Sequence, residues 1–313
     1  MSAVKTSRLA DKKISASKLA KNDARTCYIM LLLPIIGFFV FTLYPMIWSV
    51  KMSFFTYDGL ESTKAFVGTA NWKTVLTDTI YWSKWLTNLK LFVFKMPVEA
   101  LLAFIIATLL IKGTKFSGFY RSVYFMPTII SAAVVGVIFA NLFDYFGVIN
   151  ANLVKFGIIK ENINWYADKT SSFMLMYFAT LWMSLGINIL YFMAALSTVS
   201  QDILESAELD GANWLVQTFK IKLPMILPTM QVIMLLSLNG VLQIGEAVLM
   251  LNNGAPGGVN HTVSSYLMSK IVPGFGGVGD IGYAAAMSIV TSIIFCICGI
   301  TFNKLTTKLQ SIY

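Results

Sequence analysis

Polar side chains lie inside apolar runs of this sequence, and their types suit binding rather than bond-making chemistry. Asn239, Gln243 and Glu246 are separated by four and by three residues, which predicts that they share one face of a helix. Asn188 lies in another apolar run. Amides and carboxylates offer donors and acceptors together, as a polar solute requires. The alternative is that these groups hydrogen-bond to one another between packed helices.

Lys95 and Glu99 are four residues apart in a third apolar run and flank Pro97. One interpretation is an internal ion pair that neutralises both charges. The other is that Lys95 engages an acidic solute. The ring of Tyr191 could stack on a solute ring, although packing between helices is the commoner role of such an aromatic side chain.

The sequence offers little to catalysis or to metal binding. It has one histidine, His261, and its cysteines are Cys27, Cys296 and Cys298. No G-x-x-x-x-G-K-[ST] motif is present, so no nucleotide-binding P-loop is predicted. We therefore expect no catalytic residue, no metal ligand and no cofactor bound by this chain.

Composition places these residues in a membrane protein. Of the 313 residues, 57% are hydrophobic and 12% are charged, whereas a soluble domain has about 25% charged residues. The net charge of +9 is explained by basic residues that flank membrane spans, and nucleic-acid binding is not expected. We predict an all-α integral membrane protein with about six transmembrane helices, approximately 28–48, 89–111, 123–142, 173–196, 225–251 and 283–302.

The distribution of basic residues predicts the orientation. The side that carries both termini has 14 Lys and Arg residues and the opposite side has 8. The positive-inside rule then places both termini in the cytoplasm. We divide the chain into a cytoplasmic tail, 1–26, and a transmembrane domain, 27–313. The Gly-rich segment 252–282 is interpreted as a loop that is flexible at its two glycine stretches, 254–258 and 274–282.

A polar stretch, Glu205–Pro224, separates the fourth and fifth predicted spans. Ser200 is suited to cap a helix before it, and Gly211 to end that helix in a left-handed conformation. A second short helix is predicted from Asn213 to about Lys220, and Pro224 is predicted to open the next membrane helix. Such a helix–turn–helix on the cytoplasmic side suits docking into a groove on a partner. An ordinary self-capped loop is the alternative.

The spelling of this stretch resembles the EAA loop of permease subunits in binding-protein-dependent ABC importers. The residues that carry the resemblance are Glu205, Ala207, Gly211, Ile221, Leu223 and Pro224. Leu209–Ala212 (L-D-G-A) is similar to the sugar-importer branch, of the maltose and glycerol-phosphate type. Ser206 departs from the usual middle alanine. Further similar motifs are Phe125–Thr128 (F-M-P-T), Leu251–Gly257 (L-N-N-G-A-P-G) and Gly282–Ser288 (G-Y-A-A-A-M-S).

The resemblance implies a permease subunit of an ATP-driven importer in the bacterial cytoplasmic membrane. It implies a second permease, expected to be non-identical, two cytoplasmic ATPases that bind ATP and magnesium, and an extracytoplasmic sugar-binding protein. The implied ATPase-coupling residues are Glu205, Ser206, Ala207, Asp210, Gly211, Ala212, Ile221, Leu223 and Pro224. Candidates for the substrate path are Asn188, Asn239, Gln243, Glu246, Lys95, Glu99 and Tyr191. The rival functions are a secondary transporter or channel without an ATPase, and a membrane-embedded enzyme.

Overall fold

A computed structural model describes residues 26–111, 117–272, 274–275 and 279–310. The predicted tail 1–26 therefore lies almost wholly outside the described residues. In chain order the described helices are α1 Thr26–Met52, α2 Ala70–Thr77, α3 Thr79–Ile111, α4 Ser117–Ile129, α5 Ala132–Leu142, α6 Val148–Lys155, α7 Lys169–Leu196, α8 Gln201–Leu209, α9 Trp214–Met225, α10 Leu227–Gln243, α11 Glu246–Asn252, α12 Val263–Ile271 and α13 Ile281–Gln310.

Helices dominate the described residues, as predicted. Four of them, α1, α3, α7 and α13, are long and apolar enough to cross a membrane. Two further pairs, α4 with α5 and α9 with α10, reach that length only together, and they are bent by 97° and 76°. Counting each bent pair as one span gives six, which agrees with the predicted number. An antiparallel pair of two-residue strands, β1 Phe55–Thr56 and β2 Ala65–Phe66, lies after α1.

Helix α3 begins about ten residues before the predicted span. The Asp78 carboxylate caps it by accepting hydrogen bonds from the backbone N–H groups of Ile80 and Tyr81. Three polar side chains in its first part, Lys84, Thr87 and Asn88, are buried, and the Lys84 ammonium donates to the Gly258 carbonyl at 2.8 Å. Hydropathy predicts a later start for α3 because it treats polar residues as solvent-exposed. Here their hydrogen-bond partners are protein groups that are distant in the sequence.

The predicted third span is broken rather than continuous. Helix α4 ends at Ile129, and Ser131 caps α5 by accepting a hydrogen bond from the Val134 N–H. Close packing fixes both halves. A Cβ at Gly136 would lie 2.5 Å from the Ala247 carbonyl of α11, and one at Gly186 of α7 would overlap the backbone of α4. The absence of a side chain at these glycines therefore allows the backbones of neighbouring helices to come into direct contact.

The predicted fifth span is also broken, and this corrects the proposed shared face of Asn239, Gln243 and Glu246. Helix α10 ends at Gln243, and α11 begins at Glu246 after Gly245, so a single helical face does not continue across the three residues. The start of the span was likewise misplaced. Pro224 lies inside α9, whereas Pro228 stands in the first turn of α10, after the bend at Ile226.

Side chains from outside α10 and α11 stabilise the break between these two helices by donating hydrogen bonds to its backbone carbonyls. The carbonyls of Val241, Leu242 and Ile244 have lost their helical partners at this end. They accept hydrogen bonds respectively from the Asn88 amide of α3 at 3.1 Å, from the Ser264 hydroxyl at 2.9 Å and from the Thr262 hydroxyl. A helix end with buried carbonyls requires such partners.

The prediction that 252–282 is a loop, flexible at 254–258, is wrong in two respects: the segment contains a helix, and Gly254 is tightly packed. Helix α12 lies within it, and its first residue Val263 is fully buried. His261 is 5% exposed. The His261 ring packs so closely on Gly254 that a Cβ there would lie 2.5 Å from it. This segment therefore packs against the N-terminal part of α3, the C-terminal end of α10 and helix α13.

Candidate functional site

Helices α3, α7 and α10 enclose a cavity of about 230 Å³. We name it the midspan cavity, since α3 and α7 contribute residues from the middle of their length. Its lining residues are Lys95, Glu99, Met183, Ser184, Ile187, Asn188, Tyr191, Leu236, Ser237, Gly240 and Ile244.

The predicted ion pair of Lys95 and Glu99 is present at the wall of the midspan cavity. The Lys95 Nζ lies 2.7 Å from the Glu99 Oε2, and both side chains are 2% exposed. The same ammonium donates to the Ser184 hydroxyl oxygen at 2.9 Å. Lys95 is the last residue of a π-helical turn, Leu91–Lys95, which ends two residues before Pro97. A proline removes one backbone N–H from the helical ladder, which is compatible with a local change of helix type.

Asn188 joins this ion pair to a third helix. Its Nδ2 donates to the Glu99 Oε1 at 2.6 Å, and its Oδ1 accepts from the Ser237 hydroxyl at 3.0 Å. One amide therefore connects α3, α7 and α10 at the cavity. Asn188 was predicted as a polar candidate, but Ser184 and Ser237 were not. The spacing of Ser184, Asn188 and Tyr191, four and three residues, was the signal that could have found the first serine.

The other predicted path residues lie outside the cavity lining. Asn239 and Gln243 are exposed on α10, beside the lining residue Gly240, and Glu246 is exposed in the first turn of α11. The Asn239 amide donates to the Leu235 carbonyl of its own helix at 3.4 Å. Asn239 and Gln243 each precede a lining residue, Gly240 and Ile244, whereas Glu246 lies on α11 beyond the break.

The Glu205–Pro224 stretch, which we name the coupling loop, has the capped form that its sequence predicts. The Ser200 hydroxyl accepts a hydrogen bond from the Asp202 N–H at the start of α8. At its end Gly211 takes a φ of +83°. The Ala212 N–H reaches the Ala207 carbonyl at 2.9 Å and the Gly211 N–H reaches the Glu208 carbonyl at 3.0 Å. These two bonds define a Schellman cap, which satisfies the last carbonyls of α8.

The second half of the coupling loop is one helix that leads to the membrane. Asn213 caps α9 through its Oδ1, which accepts from the Val216 N–H at 3.0 Å. Ile221 and Leu223 are half-buried, and Leu223 packs with Leu204 against a core that includes Phe104 and Ile189. Leu209, by contrast, is 90% exposed at the tip of α8. The loop is thus anchored at its base and presents an apolar side chain at its tip.

A second, more polar cavity of about 630 Å³ lies between the coupling loop and the ends of the spans. Glu205 and Glu208 of α8 line it from one side, and Arg121 of α4 and Lys222 of α9 from the other. Ser206, Asp210 and Gly211 are exposed. Glu205 therefore faces the membrane-side cavity rather than the tip where Leu209 lies. Among the described residues, no group of three or more His, Cys, Asp or Glu side chains is placed to hold a metal ion.

Residues 99–309 match the sequence profile of a family described as binding-protein-dependent transport system inner membrane component. The chain belongs to this family. The match begins at Glu99 and includes the coupling loop and most of the midspan cavity.

Named permeases resemble this family member over most of its length. The arabinooligosaccharides transport system permease protein AraP of Bacillus subtilis is 31% identical over 278 residues, 87% of this chain and 85% of AraP. The lactose transport system permease protein LacF of Rhizobium radiobacter is 29% identical over 265 residues, 82% of this chain and 86% of LacF. The permease resemblance noted in the sequence is thereby confirmed.

The fold of this permease is similar to that of a solved chain. That chain comes from the crystal structure of a bacterial ABC transporter involved in the import of the acidic polysaccharide alginate. The two agree with a TM-score of 0.76 at 20% sequence identity, over 93% of this chain and 99% of the other. At that identity the similarity shows the shared fold alone. The family match and the four to six apolar spans together make this protein a multi-pass membrane permease.

Proposed function

We propose that this permease imports a sugar or oligosaccharide, delivered by an extracytoplasmic binding protein and driven by ATP hydrolysis in separate cytoplasmic subunits. The relatives support the sugar: AraP and LacF are named for arabinooligosaccharides and for lactose. The solved neighbour belongs to an importer of an acidic polysaccharide, and another structure of that importer includes a periplasmic protein with bound alginate pentasaccharide.

The coupling loop carries the proposal that a separate motor drives transport. Two capped helices with satisfied ends form a stiff projection, and Leu209 at its tip is 90% exposed. Ile203 and Leu215 add exposed apolar surface on the same two helices. A stiff helix pair with an apolar tip suits insertion into a groove of a partner protein. The partner is an ATPase that binds ATP and magnesium, and the orientation that places the loop in the cytoplasm comes from the basic-residue bias.

The midspan cavity supports a polar path through the membrane. Its walls combine hydroxyl, amide and charged groups with the ring of Tyr191, and all lie within spans. Polar groups at membrane depth are the usual markers of a transport path. Sugar hydroxyl groups both donate and accept hydrogen bonds, so serine and asparagine side chains are suitable partners. Asn239, Gln243 and Glu246 extend this polar surface along the exposed side of α10 and onto α11.

Motion of the loop is transmitted to the path through α9 and α10. These helices meet at a bend of 76° at Ile226, which is itself buried. When ATP binding closes the motor subunits, α8 and α9 are displaced and move the start of α10. Helix α10 carries Ser237 and Gly240 of the cavity wall, so the wall moves with it. Hydrolysis reverses the displacement. A second, non-identical permease completes the path.

The test is reconstitution. The chain is placed in liposomes alone, or together with a second permease, the ATPases and the binding protein encoded beside it. We expect ATP-dependent uptake of a labelled neutral or acidic oligosaccharide only in the complete assembly. Uptake by the chain alone would instead show a secondary transporter or channel.

A further inference from the structure

We propose that the midspan cavity is selective for a neutral sugar and discriminates against an acidic one, with Lys95 and Glu99 as the residues that set this preference. The inference rests on the proposed function, because it takes the cavity to be part of the sugar path. It goes further because it infers the charge of the transported sugar from the charges of the side chains that line the cavity.

The two charges that line the cavity cancel. Lys95 contributes the positive charge and Glu99 the negative one, with 2.7 Å between Nζ and Oε2. The remaining polar lining groups, Ser184, Asn188, Ser237 and Tyr191, are hydroxyl and amide groups rather than carboxylates or ammonium groups. A uronate ring brings a carboxylate into this wall without bringing a counter-ion. In a low-dielectric site an uncompensated charge is strongly disfavoured.

Lys95 is also fully engaged with the protein. Its ammonium donates to Glu99 and, at 2.9 Å, to Ser184, and its side chain is 2% exposed. The Ser184 hydroxyl in turn donates to the Thr180 carbonyl at 2.9 Å. To bind a substrate carboxylate, Lys95 would have to release the Glu99 carboxylate in the same wall. The exchange would leave two carboxylates competing for one ammonium.

The Glu99 carboxylate is held equally firmly. Its second oxygen accepts from the Asn188 amide at 2.6 Å, and Asn188 is tied to α10 through Ser237. The pair therefore cannot swing apart without breaking contacts on three helices. Glu246, the first carboxylate after α10 in the sequence, is exposed at the start of α11, beyond the cavity lining. Its charge also repels an acidic sugar that approaches from that end.

The test uses charge variants of the complete importer. Uptake into proteoliposomes is measured for a panel of neutral trisaccharides (arabinotriose, maltotriose, galactotriose) and of acidic ones (trigalacturonate, trimannuronate). Binding of the same probes to the detergent-solubilised assembly without binding protein is measured by equilibrium dialysis. The second measurement isolates the permease from the selectivity of the delivery protein.

The neutral preference of the native protein should exceed about tenfold. Glu99→Gln leaves Lys95 as an unpaired cation and should lower the neutral-to-acidic ratio by about tenfold or more. Lys95→Gln leaves the carboxylate and should raise the ratio. The double variant Lys95→Gln/Glu99→Gln keeps a neutral wall and should retain the native ratio, even where total uptake falls. If Glu99→Gln fails to assemble, the other two variants still test the inference. Lys95→Gln should raise the neutral-to-acidic ratio, and the double variant should retain the native ratio.

The possible failures are distinct. Uptake of acidic probes by the native importer at a rate equal to or above that of neutral ones overturns the inference and leaves sugar import standing. Ratios that do not respond to either single variant also overturn it, because the pair would then not set the preference. Absence of ATP-dependent uptake of every probe overturns sugar import itself, and the inference with it.

Discussion

At the scale of single residues, several polar side chains buried in this permease find partners inside the protein, some of them on other helices. The Lys95–Glu99 pair and Asn188 show the pattern within the spans. His261 pairs within its own segment, where its Nδ1 lies 2.9 Å from the Ser265 hydroxyl, four residues along the chain. His261 is 5% exposed, so the protonation state of its ring is tied to the packing around it.

His261 should make stability depend on pH. Burial is the main cause that lowers the pKa of His261 to about 4, and the positive charges of Lys84 and Lys270 lower the pKa further. The folded protein therefore keeps this ring neutral, whereas the unfolded chain protonates it below about pH 6.5. The stabilisation is complete above pH 6.5 and is lost as the pH falls from there towards 4.

The measurement is the thermal unfolding midpoint of the solubilised protein between pH 7.5 and pH 4.5. We expect the midpoint of His261→Gln to fall less steeply with decreasing pH than that of the native protein. Parallel curves for the two proteins would show that His261 does not titrate between the folded and unfolded states.

The ion pair should make single substitutions more harmful than a double one. Lys95→Met leaves the Glu99 carboxylate buried without its cation, at a cost of about 3–5 kcal/mol, whereas Lys95→Met/Glu99→Met replaces both charges and should recover most of the loss. Thermal unfolding of the three proteins checks this. A double variant that is less stable than both singles would contradict it.

At the scale of elements, helix ends decide the shape of the permease. The coupling loop closes its first helix with its own backbone, through Gly211. The break between α10 and α11 instead uses hydroxyl and amide groups of other helices, among them Thr262. The Gly211 cap uses only neighbouring residues of the chain, whereas capping at the break depends on the packing of α12 against it.

Gly211→Leu should uncouple ATP hydrolysis from uptake. A leucine at φ +83° is strained by about 1–2 kcal/mol, and relief of that strain would distort the turn between α8 and α9. We expect uptake per ATP hydrolysed to fall several-fold, and association with the ATPases to weaken. Gly157→Leu is the matched control, since Gly157 has a φ of +69° and open space around it but lies outside the coupling loop. Equal loss in both variants would point to backbone strain in general.

Thr262→Val should destabilise the break of the fifth span. It removes the hydroxyl that donates to the Ile244 carbonyl and accepts from the Ser265 N–H at 3.1 Å. Leaving these buried groups unpaired costs about 1–3 kcal/mol. Thr180→Val is the control: Thr180 is equally buried, but its hydroxyl donates only to carbonyls of its own helix, so its loss should be small. Chemical denaturation compares the two, and equal effects would contradict the role of Thr262.

At the scale of the whole molecule, the permease exposes apolar surface in two chemically different settings. The apolar window of α1 has no residue buried within the structure, which suits contact with lipid or with the second permease. Leu209 is apolar and 90% exposed at the tip of a polar loop, where lipid does not reach if the loop faces the cytoplasm. Such a residue is explained by a partner protein rather than by the fold.

Leu209→Ser should therefore weaken assembly without weakening the fold. Loss of one buried leucine contact costs about 1–3 kcal/mol of association, or roughly tenfold in affinity for the ATPase subunits, while the unfolding midpoint of the isolated chain stays unchanged. Co-purification at graded ATPase concentration measures the shift. Phe146→Ser, an 83% exposed residue outside the coupling loop, is the control. If Leu209→Ser bound the ATPase subunits with unchanged affinity, Leu209 would not be part of the proposed interface.

The sequence by itself determined what depends on neighbours along the chain. Apolar runs of helical length predicted the helical membrane class, a spacing of four residues predicted the Lys95–Glu99 pair, and the glycine at position 211 predicted the turn. Each is a local property, because helical periodicity and left-handed backbone are read within a few residues.

Only the tertiary structure decided where the fifth span breaks, that α3 begins at Thr79, and which side chains of α10 face the midspan cavity. The carbonyl of Val241 is capped by Asn88, which lies 153 residues away, and Lys84 is satisfied by Gly258 across 174 residues. Burial of a polar group is stable only once its distant partner is in place. Hydropathy counts such a group as solvent-exposed, and for that reason the sequence placed these boundaries and faces wrongly.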